Sequence, residues 1–335
     1  MTYKPPFKIN DKIANTTAQI AQKMGQVQSC EALSRSPQLR KKNRIKTIHS
    51  SLAIENNVLS IEQVTAVVDG KHVIAPPKDV LEVQNAIKVY NALDSFDFAL
   101  IDDLLLAHKM LMSGLVHEAG CFRSTNVGVF DDEVLIHAGT PAAYVAEVMH
   151  DLFNWLAKTE AHPLIASCVF HYEFEFIHPF ADGNGRMGRL WQTVILCKWN
   201  PLFAWLPVES LVKNKQKEYY AALAKSDEAA DCTEFVVFML QMIKAALDDV
   251  LEAQNSAQNG VGINVGINVG ITNEAQAKKE ALLALVSENP TITIAQMAQQ
   301  LGISRRQVER IAARLKESGR LVRVGSKRNG VWKVN

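Results

Sequence analysis

The chain has 335 residues, 48% of them hydrophobic and 21% charged, which is enough to bury a core of more than one domain and excludes wholesale disorder. Its 36 Lys and Arg against 35 Asp and Glu give a formal charge of +1, which excludes neither acidic nor basic partners until it is divided along the chain. No run approaches the roughly 18 uninterrupted apolar residues of a membrane span, the start MTYKPPFKIN lacks a secretory apolar stretch, and the 5 cysteines (Cys30, Cys121, Cys168, Cys197, Cys232) show no C-x-x-C spacing; a cytoplasmic chain with reduced thiols, no membrane and no structural zinc is expected.

Apolar residues at steps of three and four predict helices over 80–93, 104–115, 144–156, 164–176 and 235–251, so the first 250 residues are expected to be mainly α. Between 127 and 136 the pattern changes: Val127, Gly128 and Val129, then Val134, Leu135 and Ile136, flank the acidic run Asp131, Asp132 and Glu133, and a short hairpin or flap is predicted. A string from His178 to Arg189, HPFADGNGRMGR, follows the helix ending near Ile177 and opens another near Arg186. Over 255–272 the chain reads VGIN, VGIN, VGIT from Val261, with apolar residues on alternate positions; glycine at every fourth position weakens a strand, so a flexible or docked linker is the alternative.

The composition then shifts. From Ala275 onward 12 Lys and Arg face 4 acids, a net +8 that leaves −7 for the rest. Thr293 can cap a helix to Gln300, Gly302 supplies a turn and Ser304 can cap a second helix through Lys316. Two strands, 321–324 and 330–334, surround a basic turn. This segment resembles a winged helix-turn-helix, a small α+β domain, with Arg305, Arg306 and Arg310 facing DNA and Lys327 and Arg328 in the wing, all suited to phosphates; protein docking or dimerisation is the other use of such a module. The expected organisation is an N-terminal helical region over 1–100, a catalytic core over 101–252, a linker over 253–274 and the winged helix over 275–335.

In the string HPFADGNGRMGR, Gly183 and Gly185 let the backbone turn tightly and approach a ligand. A helix start leaves N–H groups free under the positive end of the dipole, which suits phosphate. Arg186 and Arg189, three apart, can lean over one anion; Asp182 offers a hard oxygen for Mg²⁺; His178 can take a proton from a hydroxyl; Phe180 is expected to anchor the loop in the core. The spacing matches neither the Walker loop nor the dinucleotide fingerprint.

All of its positions match the Fic signature H-P-F-x-[DE]-G-N-G-R-x-x-R, and the resemblance covers roughly 33–251. It implies a helical Fic domain acting as a protein adenylyltransferase on ATP with Mg²⁺. In it His178 is the general base toward a Ser, Thr or Tyr hydroxyl of a protein target, Asp182 the metal ligand, Gly183, Asn184 and Gly185 the anion hole, and Arg186 and Arg189 the grip on the β- and γ-phosphates. The flap at Val127, Gly128, Val129, Val134, Leu135 and Ile136 is similar in position to the family hairpin that pairs with an extended target segment. The resemblance also brings in two further partners, a second copy of the chain as homodimer and the chain itself as substrate.

Ser51-Leu52-Ala53-Ile54-Glu55-Asn56 resembles the family's inhibitory motif [S/T]-x-x-x-E-[G/N]. By that resemblance Glu55, one helical turn from Ser51, pairs with Arg189 and keeps the γ-phosphate from its productive position; in some relatives the same glutamate supports AMP removal. Two alternatives stay open: a nucleotide-sensing DNA-binding regulator, and transfer of another phosphate-containing group. Gly185 argues against phosphate transfer, because the kinase branch of the family usually carries lysine there. His162, His171 and His178 lack metal-ligand spacing, and His171 and Phe174 are expected to brace the loop. Tyr219 and Tyr220 stand as core packing or as neighbours of the nucleotide.

Overall fold

The computed structural model of the chain describes residues 3–29, 33, 36–131, 134–258, 281–287, 289–301, 305, 308, 311–312, 315–316, 320–324 and 331–334. The chain folds as two compact units, Met1–Ile263 and Asn264–Asn335. The VGIN repeat lies outside the described residues.

The first unit is helical: α1 (Asp11–Ser29), α2 (Pro37–Ile54), α3 (Ile61–Val68), α4 (Pro77–Asn91), α5 (Ile101–Met112), α6 (Ala142–Lys158), α7 (Pro163–Ile177), α8 (Asn184–Trp199), α9 (Val208–Asn214), α10 (Gln216–Ala229) and α11 (Thr233–Gln258). The predicted helices are all present, with ends moved. The helix predicted over 104–115 stops at Met112, and Gly114, at φ 73°, takes the turn after it. Helices α1, α3 and α9 have no predicted range, although α1 and α3 fall in the expected N-terminal helical region over 1–100; α2 contains the helical turn expected from Ser51 to Glu55 and extends back to Pro37.

Two helices make the centre. Helix α7 is buried at every residue from Leu164 to Phe174, and α8 is buried on nearly every side from Arg186 to Leu196, as expected of helices with no solvent face. They pack on each other, and α11 lies against α7. Local chemistry fixes their facing ends. Pro163 opens α7 with the His162 ring accepting from the Leu164 N–H, and the helix closes at His178, which adopts a left-handed conformation (φ 53°, ψ 60°) before Pro179. Gly183 (φ 86°) starts α8 with no side-chain cap. The segment between the two ends is the predicted loop.

Helix α2 reads as polar in sequence, yet it buries Asn43, Arg44, Thr47, Ser50 and Ser51 as well as apolar residues. Ser36 caps its start, accepting from the Leu39 N–H. Arg44 stacks 4.6 Å over the Trp205 ring and donates to the Tyr90 carbonyl at 2.6 Å. The other end of α2 carries Ser51 and Glu55 to α8.

The predicted flap is a two-stranded antiparallel hairpin, β1 (Gly128–Asp131) and β2 (Val134–Ala138), in the register Gly128↔Ala138 with a bulge at Val129/Phe130. Val127 lies just outside the ladder, its carbonyl accepting from the Gly139 N–H at 3.2 Å.

In the second unit residues 281–287 are helical, α12 (Ile294–Gln300) begins with a capping box between Thr293 and Gln296, and β3 (Leu321–Val324) pairs antiparallel with β4 (Val331–Val334). Leu283, Met297, Val308, Leu315 and Trp332 share its small core, and the Trp332 indole donates to the Ile292 carbonyl at 3.0 Å. Residues 305, 308, 311, 312, 315 and 316 are helical as well, so the described residues agree with the expected helix-turn-helix and its two wing strands.

Candidate active site

The loop between α7 and α8 is held from inside. Phe180 is fully buried, stacked on the His108 ring at 3.6 Å and packed against Phe122 and Phe174. Asn184 grips it from the helix side: its side chain accepts from the Phe180 N–H and donates to the Phe180 carbonyl, both at 2.8 Å. One N–H of the Asn184 carboxamide is thereby committed to the loop, while its second N–H and its main-chain N–H are not bound by these contacts. His108 holds the third side. Its Nδ1 accepts from the Gly120 N–H at 2.9 Å, which leaves Nε2 to donate to the Asp182 carbonyl at 3.1 Å. Burial lowers the His108 pKa to about 4, so this tautomer stays neutral at ordinary pH. A side chain at Gly183 would be strained by its φ of 86°, and its Cβ would displace the Met112 side chain, whose sulfur lies 2.7 Å from that position.

The two arginines are both buried but face different carboxylates. Arg186 donates to Glu82 at 3.2 Å and to Asp182 at 2.9 Å. Glu82 in turn accepts from the Asn57 side chain at 2.8 Å. Arg189, 2% exposed, donates through Nη2 to the Glu55 carboxylate at 2.7 Å and to the Ser51 carbonyl at 3.0 Å, and through Nε to the Ser51 hydroxyl at 3.2 Å. Ser51 and Glu55 thus meet the second loop arginine as a pair, one turn apart on α2. Burial, the largest single influence, would weaken the hold of Arg189 on its proton; the Glu55 charge and hydrogen bond together with other neighbours, Glu175 among them, outweigh it in sum and raise its pKa. The carboxylate also rests against Gly185, where an added Cβ would lie 2.5 Å from Glu55 Oε1. Glu55 therefore fills the mouth of the uncapped α8 terminus, the place where an anion gains most from backbone N–H groups and the helix dipole. Lys213 and Gln216 secure that end of α2, donating to the Ala53 and Ile54 carbonyls at 2.7 and 3.2 Å.

His178 is half-buried, and its Nδ1 lies 3.3 Å from the Glu175 carbonyl. A carbonyl only accepts, so Nδ1 carries the proton and Nε2 is the basic nitrogen of the neutral ring. The imidazole is thus set up to receive a proton. Asp182 is half exposed, with one oxygen already accepting from Arg186 and from the Gly183 N–H. One accessible carboxylate beside an anion site suits Mg²⁺, which takes one or two carboxylates and completes its shell with phosphate and water. Among the described residues no group of three or more His, Cys, Asp or Glu forms a metal cluster.

Sequence reasoning missed Glu82, His108, Arg123, Lys213 and Gln216. Of these, His108 stood in a predicted helix as a lone histidine, and the others had no motif to mark them. His171 and Phe174 are buried as expected; His171 is bonded to Gln192 at 2.8 Å and to the Tyr219 hydroxyl at 3.1 Å. Tyr219 is accordingly a core residue, while Tyr220 is 48% exposed. In the second unit Arg305 is exposed; Arg306, Arg310, Lys327 and Arg328 lie outside the described residues. No helix among the described residues is long and apolar enough to cross a membrane.

Two family descriptions match the chain: the Fic/DOC family over residues 93–196 and an HTH domain over 278–331. Among solved structures, a Fic family protein from Desulfovibrio desulfuricans G20 is 40% identical, with a TM-score of 0.73, over 99% of this chain and 98% of that one. A protein adenylyltransferase of Nematostella vectensis is 30% identical over 61% of this chain, and one of Caenorhabditis briggsae 27% identical over 74%. The chain spans about half the length of these curated relatives, 48% in each case.

Proposed function

The chain belongs to the Fic family, and on that footing we propose that it is a protein adenylyltransferase that moves AMP from ATP onto a Ser, Thr or Tyr hydroxyl of a protein target and restrains itself through Glu55. The observation that carries this reading is the run from His178 to Arg189, which joins a basic imidazole nitrogen, an uncapped helix start and two buried arginines in one loop and the helix it opens. The names of the relatives point the same way.

His178 Nε2 takes the proton of the incoming hydroxyl. The freed oxygen bonds to the α-phosphorus as the bond to the bridging oxygen breaks, and pyrophosphate leaves. The N–H groups opening α8 face the phosphate charge, and Arg189 joins them once Glu55 has withdrawn. Arg186, fixed by Glu82 and Asp182, holds a second positive charge beside them. Asp182 would hold Mg²⁺, which supplies charge neutralisation on the phosphates when bound. An open cleft of about 480 Å³, lined by Lys213, Gln216, Lys217 and Tyr220, borders the end of α2 and has room for the nucleoside.

The brake follows from occupancy. With Glu55 at the α8 terminus and on Arg189, a γ-phosphate has neither its space nor its cation. Incubating Glu55→Gly with α-labelled and, separately, γ-labelled ATP tests the whole reading: label on protein from the α-phosphate alone supports it, label from the γ-phosphate alone identifies phosphate transfer, and no label from either overturns it. His178→Ala in the same background is expected to abolish labelling.

The match to an HTH domain over 278–331 and the +8 charge of residues 275–335 favour a nucleic-acid partner for that segment. Binding to duplex DNA that weakens steeply between 50 and 200 mM salt is expected; absence of binding at low salt would leave protein docking or dimerisation as its role.

A further inference from the structure

Arg123 is a buried arginine whose partners among the described residues are all main-chain carbonyls. It is 2% exposed. Its Nε donates to the His178 carbonyl at 2.7 Å, Nη1 to the Thr125 carbonyl at 2.8 Å, and Nη2 to the Ile177 carbonyl at 3.4 Å and, at short range, to that of Thr140. Its own N–H donates to the Pro179 carbonyl at 3.0 Å. One residue therefore takes the carbonyls of three consecutive residues, 177 to 179, together with one on each side of the hairpin. The Thr140 N–H adds a bond to the Ile177 carbonyl at 3.3 Å.

The arrangement has a geometric reason. His178 is a non-glycine residue in the left-handed region (φ 53°), a conformation that persists only when its surroundings determine it. The hairpin's exit crosses close by: a Cβ on Gly139 would lie 3.1 Å from Arg123 Nη2 and 3.3 Å from His178 Cβ. The planar fork of five donors can reach several carbonyls at fixed angles, which a lysine ammonium cannot.

We propose that Arg123 is a positioning residue that fixes His178 in its left-handed turn and locks it to the feet of the β1–β2 hairpin. A hydroxyl carried by a segment paired to the hairpin edge then arrives at a set distance from Nε2, because the docking edge and the base are referenced to one guanidinium. The inference rests on His178 acting as the base, and it assigns Arg123 no contact with nucleotide.

The test uses the full chain in the Glu55→Gly background. For Arg123→Lys we expect kcat for α-label transfer to fall about 100-fold, the size of effect that a misplacement near 1 Å produces, while KM for ATP stays within about twofold because no phosphate-facing group changes. In ¹⁵N spectra the His178 ring is expected to lose its single tautomer. Gly139→Ala keeps Arg123 but presses a methyl on it and on His178, so it should give the same split at smaller size, and it serves if Arg123→Lys does not fold. An unchanged kcat in a folded variant overturns the inference. So does a rise in the KM for ATP that matches the fall in kcat, which would mark general loosening. If the Glu55→Gly parent transfers no label, the adenylyltransferase reading fails instead, and the ¹⁵N spectra still decide whether Arg123 sets the His178 ring.

Discussion

Replacing Glu55 with glycine removes a carboxylate that does two things at once: it bonds Arg189 at 2.7 Å and stands against Gly185 at the start of α8. A charge-assisted hydrogen bond contributes about 1.5–3 kcal/mol, which corresponds to roughly 10- to 150-fold in an equilibrium. Glu55 is 31% exposed, so solvent screening places the effect at the lower end, and AMP transfer is expected to rise about 10- to 30-fold. Stability should move the other way. Arg189 keeps its two bonds to Ser51 and the electrostatic support of Glu175, which limits the loss to about 1–2 kcal/mol, or about 2–6 °C in Tm. Glu55→Gln separates charge from bulk: it retains the volume against Gly185 and should raise activity by only a few fold. The assay is incorporation of α-labelled phosphate at fixed ATP, alongside a thermal melt of each variant. Equal labelling by wild type and Glu55→Gly would refute the brake, and equal labelling by the Gln and Gly variants would show that occlusion at Gly185 contributes nothing.

Three further outcomes are expected. Lys213→Met removes the donor to the Ala53 carbonyl and should raise kcat for label transfer in the wild type but not in Glu55→Gly, with any loss of its contact in the nucleoside cleft read as a higher KM for ATP; a further rise of kcat in the double variant would separate Lys213 from the brake. Asn184→Ala strands the buried N–H and carbonyl of Phe180, lowering stability by about 2–4 kcal/mol in urea titrations, and an unchanged midpoint would dismiss the loop clamp. His108, with a folded pKa of about 4 against an ordinary value of 6.5, takes up a proton more readily in the unfolded chain. Its stabilisation, at most about 3 kcal/mol, is therefore full above about pH 6.5 and lost as the pH falls toward 4; a His108→Gln variant with the same pH slope as wild type over that window would contradict this.

The parts of the site that could be read in the sequence are those written in consecutive residues. The run from His178 to Arg189 is a contiguous loop and helix start, and Ser51 to Asn56 a single helical turn, so each keeps a local pattern even though Arg189 and Glu55 stand 134 positions apart. Arg123 left no such trace. Its partners are carbonyls, which every residue possesses, so a lone arginine in FRST reads as surface. Glu82 and Lys213 belong to no motif, and only the packing of α8 and of the end of α2 against them gives them a role. The extent of α2 before its Ser51–Glu55 turn leaves no trace for a related reason: it buries Asn43, Arg44, Thr47 and Ser50, and buried polar groups erase the apolar periodicity on which a helix is recognised. Helix α7 is legible because little besides apolar residues lies between its ends, and α8 because the loop from His178 marks its start.

Arg189 grasps α2 at both Ser51 and Glu55, so the cation proposed to receive ATP is also the peg that moors a helix. Moorings of this kind obey reciprocity: whatever factor the docked helix takes from triphosphate affinity, triphosphate must take from the docking of the helix. A partner that loosens the last turn of α2 would then sensitise the site to nucleotide, and triphosphate would favour that loosening by the same factor. Cleavage by a protease in the turn around Asn56 and Asn57 would report that release directly, turning the restraint into a gauge of nucleotide concentration.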